Sequence, residues 1–364
     1  MKSKAESSRA STADPDSVLA AREAGLRWVS DDQPGLSRRR AGKGFSYRDA
    51  DGRVVRDRAT LDRVRMLAIP PAYRDVWICA RANGHLQATG RDARGRKQYR
   101  YHADWSAVRG DGKFDRIVAF ADALPRLRRA LTRDLGLPGL QRDQVLAIVV
   151  SLMAQTFVRV GNDSYTRSNG SFGLTTLRNR HFELVRGGRA LLKFRGKSGQ
   201  EQEIELDDAK LSKLVRKVQQ LPGQALFQYM DDDGERHGID SGMVNDYLRE
   251  AMGGPFTAKD FRTWGGTLMA FRRFAAMPLP EGRRGGDPSE RALATQEKIV
   301  IADVADALGN TVSVCRKAYI DPVLYAAWRD GSLQRAAGNA RGARQWEQAC
   351  LKLLRKQHRV AKRG

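Results

Sequence analysis

Cysteine is scarce in this chain. Only Cys79, Cys315 and Cys350 occur, with no Cys-x-x-Cys pair and no Cys/His cluster. That excludes a disulfide framework and a zinc site of the usual ligand spacing. Long apolar runs are missing too. Residues 145–152 form the best candidate, far short of the roughly 18 residues a membrane span needs and flanked by charge. No Gly-x-x-x-x-Gly-Lys-Ser/Thr phosphate loop is present, so ATP binding of that kind is not expected. The acidic run Asp231-Asp232-Asp233-Gly234-Glu235 lacks the spacing of a calcium loop and reads as a solvated turn. No metal, no other cofactor and no membrane partner is therefore expected. The N-terminus does not show the charged, apolar, cleavable order of a secretory leader. The cytoplasm is the expected compartment, in association with the nucleoid.

Basic residues are abundant. Lys and Arg number 65 against 42 Asp and Glu, a formal charge of +23. Such an excess attracts a polyanion and speeds encounter with it. It does not separate an enzyme from a non-catalytic basic DNA-binding protein.

The 364 residues suit two domains. Residues 1–41 begin with a Ser-, Ala- and charge-rich stretch and read as a tail, at least partly disordered. Residues 42–110 alternate short β-like runs with turn signals. Phe45-Ser46-Tyr47, Val54-Val55, Val76-Trp77-Ile78-Cys79 and His85-Leu86-Gln87-Ala88-Thr89 read as strands, with Ala82-Asn83-Gly84 a tight turn. Ile69-Pro70-Pro71 blocks helix. Residues 111–364 read as mainly helical. The spacing predicts a helix over 114–135 broken near Pro125, and a clear one over 141–160 ended by Gly161. Three short strands at 181–185, 191–194 and 203–206 interrupt the helices, separated by glycine-rich turns. The expected class is α+β: a small β-rich N-terminal domain followed by a mainly α-helical domain that carries a small three-stranded sheet.

Five residues suit chemistry on a phosphodiester, and each has a plainer alternative. Arg159 reads as a cation at the C-terminal end of a buried helix. Lys197 sits on the hairpin tip Gly196-Lys197-Ser198-Gly199, either solvated or aimed at one atom as a proton donor. Arg262 falls in the second turn of a helix capped by Thr257, as a surface pair or as a planar fork on a phosphate oxygen. Asn310, at a helix end, bonds its own backbone or gives one more donor. Tyr319 closes a short helix as a packing residue or a nucleophile. Taken together they have a physical sense. A phenol is a weak nucleophile because its pKa is near 10. Two guanidinium groups can neutralise the charge that develops on an attacked phosphate without a metal. The leaving 5′ oxygen needs a proton, which a lysine can supply. The resulting phosphotyrosine diester is close in energy to the bond broken, so rejoining needs no ATP.

Longer motifs add a resemblance. Ile69-Pro70-Pro71-Ala72-Tyr73-Arg74-Asp75-Val76-Trp77-Ile78, the stretch from Gln87-Ala88-Thr89-Gly90 to Lys97-Gln98-Tyr99-Arg100-Tyr101-His102, and Gly173-Leu174-Thr175-Thr176-Leu177 resemble segments of type IB DNA topoisomerases, in particular the compact poxvirus and bacterial branch. The likeness runs over about residues 44–328. It implies relaxation of supercoiled duplex DNA by single-strand cleavage and religation through a 3′-phosphotyrosine, independent of ATP and metal. It also implies a monomer clamped on double-stranded DNA and a helical domain related to tyrosine recombinases. By the resemblance Arg159 and Arg262 are the two arginines, Lys197 the general acid and Tyr319 the nucleophile. Lys259 is a supporting basic residue, Tyr165 a phosphate-contacting tyrosine, and Gln98, Tyr99 and Tyr101 touch the duplex. Asn310 departs from the histidine common in the family; it can donate a hydrogen bond but not shuttle a proton. A tyrosine recombinase uses a similar residue set and is the alternative. The N-terminal motifs argue against it.

Overall fold

The computed structural model describes residues 15–361 apart from 43, 94 and 283–285. It divides into two compact units between Phe114 and Asp115.

In the N-terminal unit, helix α1 (Pro15–Glu23) precedes strands β1 (Gly35–Ala41) and β2 (Gly44–Arg48). Helix α2 (Arg58–Met66) and strands β3 (Arg74–Cys79), β4 (Leu86–Arg91) and β5 (Lys97–Tyr101) follow. The strands make one antiparallel five-stranded sheet in the order β2-β1-β3-β4-β5. Leu36, Ile78 and Ala88 stand in register and share one face. Val64 of α2 packs on that face with Val76. The prolines of the Ile69–Tyr73 loop offer no N–H. Its carbonyls are gathered by Arg38, which donates to Ile69 at 3.1 Å, Pro70 at 3.0 Å and Tyr73 at 2.8 Å.

Residues 15–41, expected as a tail, instead carry α1 and an inner strand of the sheet. The reason is tertiary. The Trp28 ring stacks on His85 at 3.9 Å and meets Trp105 edge-on at 5.7 Å. The Val29 amide donates to Nδ1 of His85 at 3.1 Å.

Helix α3 (Ala103–Asp134) is continuous and contains Pro125 rather than breaking there. Losing one backbone bond is tolerated where flanking residues pack deeply; Leu124 and Leu127 are buried. Then come α4 (Arg142–Thr156), α5 (Asp163–Asn169), and the antiparallel sheet of β6 (Phe182–Leu184), β7 (Ala190–Arg195) and β8 (Glu201–Leu206). Next are α6 (Ala209–Gln219), the hairpin of β9 (Gln228–Met230) and β10 (Arg236–Gly238), α7 (Ser241–Met252), α8 (Ala258–Ala276) and α9 (Glu290–Ala307). Four helices complete the unit: α10 (Val312–Ala318), α11 (Val323–Arg329), α12 (Ser332–Ala337) and α13 (Ala343–Ala361). Every residue of α4 from Gln144 to Met153 is buried, so this helix is the core.

α4 ends at Thr156, earlier than its apolar pattern suggests. Phe157 turns left-handed, with φ 54°. Beyond it the chain extends, and the carbonyls of Arg159 and Val160 accept the amides of Leu174 (2.9 Å) and Thr175 (2.7 Å). Arg159 therefore lies past the helix, on a segment paired with residues 174 and 175, and not on a helix end. Gly173 permits this pairing: a Cβ there would sit 2.5 Å from the Cα of Gly161.

Candidate active site

Four elements meet at one cleft of the C-terminal unit. Arg159, Lys197, Arg262 and Asn310 all line it, together with Phe157 and Gly309. Glu203 and Glu205 of β8 border it too. These acids are paired across the sheet, Glu203 with Lys193 at 3.3 Å and Glu205 with Arg189 at 3.7 Å.

Arg262 is buried on α8. One Nη donates to the carbonyl of Phe157 and the other to that of Leu308 at 2.6 Å. Both acceptors are backbone groups left over at helix ends, where α4 and α9 stop. Two truncated helices thereby fix one guanidinium plane. Its buried Nε finds no hydrogen-bond partner among the described residues. The Tyr319 ring lies against this guanidinium, with Cζ 5.1 Å from the ring centroid. Tyr319 itself is not among the lining residues of the cleft; it caps α10 beside it.

Arg159 Nη2 donates to Oδ1 of Asn310 at 2.6 Å and to the Gly309 carbonyl at 3.3 Å. An amide oxygen must face the guanidinium, so this contact sets the orientation of the Asn310 amide. Its Nδ2 then reaches the Leu308 carbonyl at 3.3 Å. Asn310 is thus engaged with Arg159 and with the carbonyl that also holds Arg262. Lys197 is exposed at the β7–β8 tip. The Gly196 amide donates to the Gln200 carbonyl at 2.7 Å and closes that tip.

Sequence reasoning did not foresee Gly265 and Gly266. A Cβ on Gly265 would sit 2.2 Å from the Phe157 ring, and one on Gly266 would sit 2.6 Å from the Tyr319 carbonyl oxygen. The pair lets α8 approach both segments. Two glycines inside a helical pattern were the available signal.

Other expected site residues lie elsewhere. Lys259 is exposed in the first turn of α8 and does not line the cleft. Tyr165 falls in α5, but its side chain lies outside the described residues. Gln98, Tyr99 and Tyr101 belong to β5 in the N-terminal unit. Tyr99 and Tyr101 are exposed and stack in parallel at 6.1 Å. Alternation turns Gln98 to the opposite face, where its Nε2 donates to Asp92 at 3.0 Å. Beside the tyrosines Lys97 pairs with Asp31 at 2.6 Å. Burial pushes the Asp31 carboxyl up, yet the Lys97 and Thr89 hydrogen bonds outweigh it and hold the group below the usual range.

Comparison with known proteins shows the family. Residues 102–322, well over half of the chain, match the family described as eukaryotic DNA topoisomerase I, catalytic core. Residues 44–92 match the N-terminal domain of bacterial DNA topoisomerase IB. The chain belongs to the type IB DNA topoisomerases. It is 31% identical over 290 residues to DNA topoisomerase 1B of Acanthamoeba polyphaga mimivirus, covering 79% of this chain and 85% of the relative. It is 23% identical over 300 residues to DNA topoisomerase I of monkeypox virus and to DNA topoisomerase 1B of vaccinia virus (strain Copenhagen). Each of those alignments covers 79% of this chain and 88% of the relative. Arg159, Lys197, Arg262 and Asn310 of the cleft, and Tyr319 beside it, all fall inside the topoisomerase catalytic-core match.

Proposed function

We propose that this type IB topoisomerase relaxes supercoiled duplex DNA by breaking and rejoining one strand through Tyr319. The Tyr319 oxygen attacks the phosphorus as its hydroxyl proton passes to water, the P–O5′ bond breaks, and the 5′ oxygen leaves. The 3′ phosphate stays on the tyrosine while the freed end turns about the intact strand, driven by supercoil strain. Attack by the 5′ hydroxyl then reverses the step.

Each group has a task. Arg262, with a buried N–H unspent on protein, bonds a non-bridging oxygen beside the Tyr319 ring. Arg159 bonds the same phosphate, held in line by Asn310. The Asn310 amide acts chiefly by fixing Arg159 and adds little as a direct donor. Lys197 protonates the departing 5′ oxygen; its glycine-flanked tip can be lowered to that atom. Tyr99 and Tyr101 offer an exposed aromatic pair to the duplex, with Lys259 and Tyr165 as phosphate contacts. Neutralising the DNA backbone accounts for the +23 charge. The enzyme acts as a monomer.

The observation that carries this reading is the Arg262 fork, locked to two helix-end carbonyls and lying against Tyr319. The test is a covalent protein–DNA adduct trapped by denaturant on plasmid DNA. Wild type should form it and relax the plasmid in EDTA. Tyr319→Phe should bind DNA yet form none. An adduct that survives in Tyr319→Phe would remove the nucleophile assignment. Exchange of DNA segments in place of topoisomers would favour the recombinase alternative.

A further inference from the structure

Tyr319 closes α10, and the residues after it are anchored more deeply than the tyrosine. Ile320 and Asp321 are fully buried. Oδ2 of Asp321 lies 2.8 Å from Nε2 of His358, near the C-terminal end of α13. Oδ1 accepts the Val323 amide at 3.1 Å, where α11 begins. The Asp321 amide donates to the Thr267 hydroxyl at 3.1 Å, and that hydroxyl donates to the Tyr319 carbonyl at 3.2 Å. Thr267 is itself fully buried on α8, one residue past Gly266. On the other side the Tyr319 amide donates to the Cys315 carbonyl at 3.0 Å.

Tyr319 has φ −133° and ψ −8°, neither helix nor strand, so no regular element dictates where its side chain points. The groups that hold its peptide planes do so instead. Among these, Asp321 is a buried carboxylate, which is costly unless paired and hydrogen-bonded. The imidazole of His358 supplies that pairing. Helix α13 is tied down independently, since Glu347 accepts from Arg128 at 2.7 Å on both oxygens. Its Trp346 meets Phe271 of α8 edge-on at 6.0 Å.

We propose that His358 is a positioning residue for strand cleavage: through Asp321, helix α13 holds residues 319–321 so that the tyrosine hydroxyl is presented beside Arg262. The inference rests on Tyr319 being the nucleophile. Without the imidazole the Asp321 carboxylate keeps, among the described residues, only the Val323 amide, and it turns or admits water. The peptide shared with Thr267 then shifts. A misplacement of about 1 Å at a reacting group can cost about 100-fold in rate.

The test uses the full chain with supercoiled plasmid. Adduct formation is timed with enzyme in excess, well below the melting temperature of each variant, and DNA affinity is measured in the Tyr319→Phe background. His358→Ala should slow adduct formation about 10- to 100-fold without weakening DNA binding. His358→Gln, whose amide N–H can reach Asp321, should recover most of the rate. Glu347→Ala, which frees α13 from Arg128, should lower the melting temperature and leave the rate unchanged. If His358→Ala does not fold, His358→Asn, too short to reach Asp321, replaces it against His358→Gln. Wild-type rates in a folded His358→Ala, or equal slowing by Glu347→Ala, would overturn the proposal and leave α13 a stabilising cover. A wild-type chain that forms no adduct would overturn the nucleophile reading as well, so the two failures are distinct.

Discussion

Gly266→Ala adds one methyl group where α8 passes the tyrosine-bearing segment. The new Cβ would lie 2.6 Å from the Tyr319 carbonyl oxygen, 3.0 Å from the Tyr319 Cβ and 3.2 Å from Cδ1 of Leu308. An ordinary contact is about 3.5 Å, so the carbonyl must retreat by about 0.9 Å. It cannot swing aside like the end of a flexible side chain, because it is backbone and accepts from Thr267 at 3.2 Å. Overpacking of this kind costs about 1–3 kcal/mol. Replacing glycine in a helix interior returns about 0.8–1.0 kcal/mol. The net loss, about 0–2 kcal/mol, is small beside the roughly 5–15 kcal/mol that holds a domain folded. The rate should suffer far more, because the displaced group carries Tyr319, the nucleophile proposed above. A shift approaching 1 Å predicts a loss of about 10- to 100-fold. Relaxation of supercoiled plasmid by a variant with a cooperative melting transition and wild-type DNA affinity is the measurement. A Gly266→Ala enzyme that relaxes DNA at the wild-type rate would refute the idea that α8 and the Tyr319 backbone are held at a fixed spacing. Gly265→Ala meets the Phe157 ring at 2.2 Å and should cost more stability, because that ring belongs to the residue whose carbonyl holds Arg262.

Lys197→Ala should slow cleavage by about 10²- to 10⁴-fold, the usual worth of a general acid. A substrate with a bridging 5′ sulfur needs no proton and should restore the rate; lack of rescue would mean that another group is the acid. Asn310→Ala deprives Arg159 of its 2.6 Å acceptor. A hydrogen bond to a charged group is worth about 1.5–3 kcal/mol, so adduct formation should fall about 10- to 100-fold. Asn310→His should stay close to wild type, and a large acceleration would show instead that a proton shuttle matters. His181 packs edge-on to Phe172 at 4.5 Å. Burial first, then the Arg180 and Arg178 charges, hold its pKa below the ordinary value. The folded state therefore disfavours the charged ring. Its stabilising contribution is complete above the unfolded value of about 6.5 and is lost as the pH falls through the depressed folded value. Thermal melting should show the C-terminal unit weakening from pH 7 to 5, and His181→Gln should flatten that slope. An unchanged slope would assign it to other groups.

Much of the architecture was legible because residues recur at the period of the element they build. Apolar side chains at helical spacing marked α4, and glycine pairs between short apolar runs marked the β6–β8 sheet. Arginine, lysine and tyrosine are also recognisable by what they can do to a phosphodiester. What escaped were features decided by distant partners. Leu26, Trp28 and Val29 form too short an apolar stretch to show a period, and nothing local says that they dock; the cluster around His85 and Trp105 decides it. The apolar pattern of α4 runs on through Phe157 and Val158. The helix stops there because residues 159 and 160 pair with 174 and 175, a choice that no periodicity records.

The same division runs through the site. Side chains suited to the chemistry announce themselves by type, whereas those that fix their geometry do not. Gly266, Thr267, Asp321 and His358 are residues found in any helix or helix boundary. Their importance lies in a carbonyl approached at 2.6 Å by a would-be methyl, a hydroxyl bridging two peptide groups, and a buried carboxyl–imidazole contact. A tyrosine with no regular backbone conformation has to be oriented by such neighbours. Substitutions among them should therefore separate rate from binding more cleanly than changes to the arginines. Arg262 supports two helix ends as well as its proposed phosphate contact, so removing it should disturb the fold and the chemistry at once.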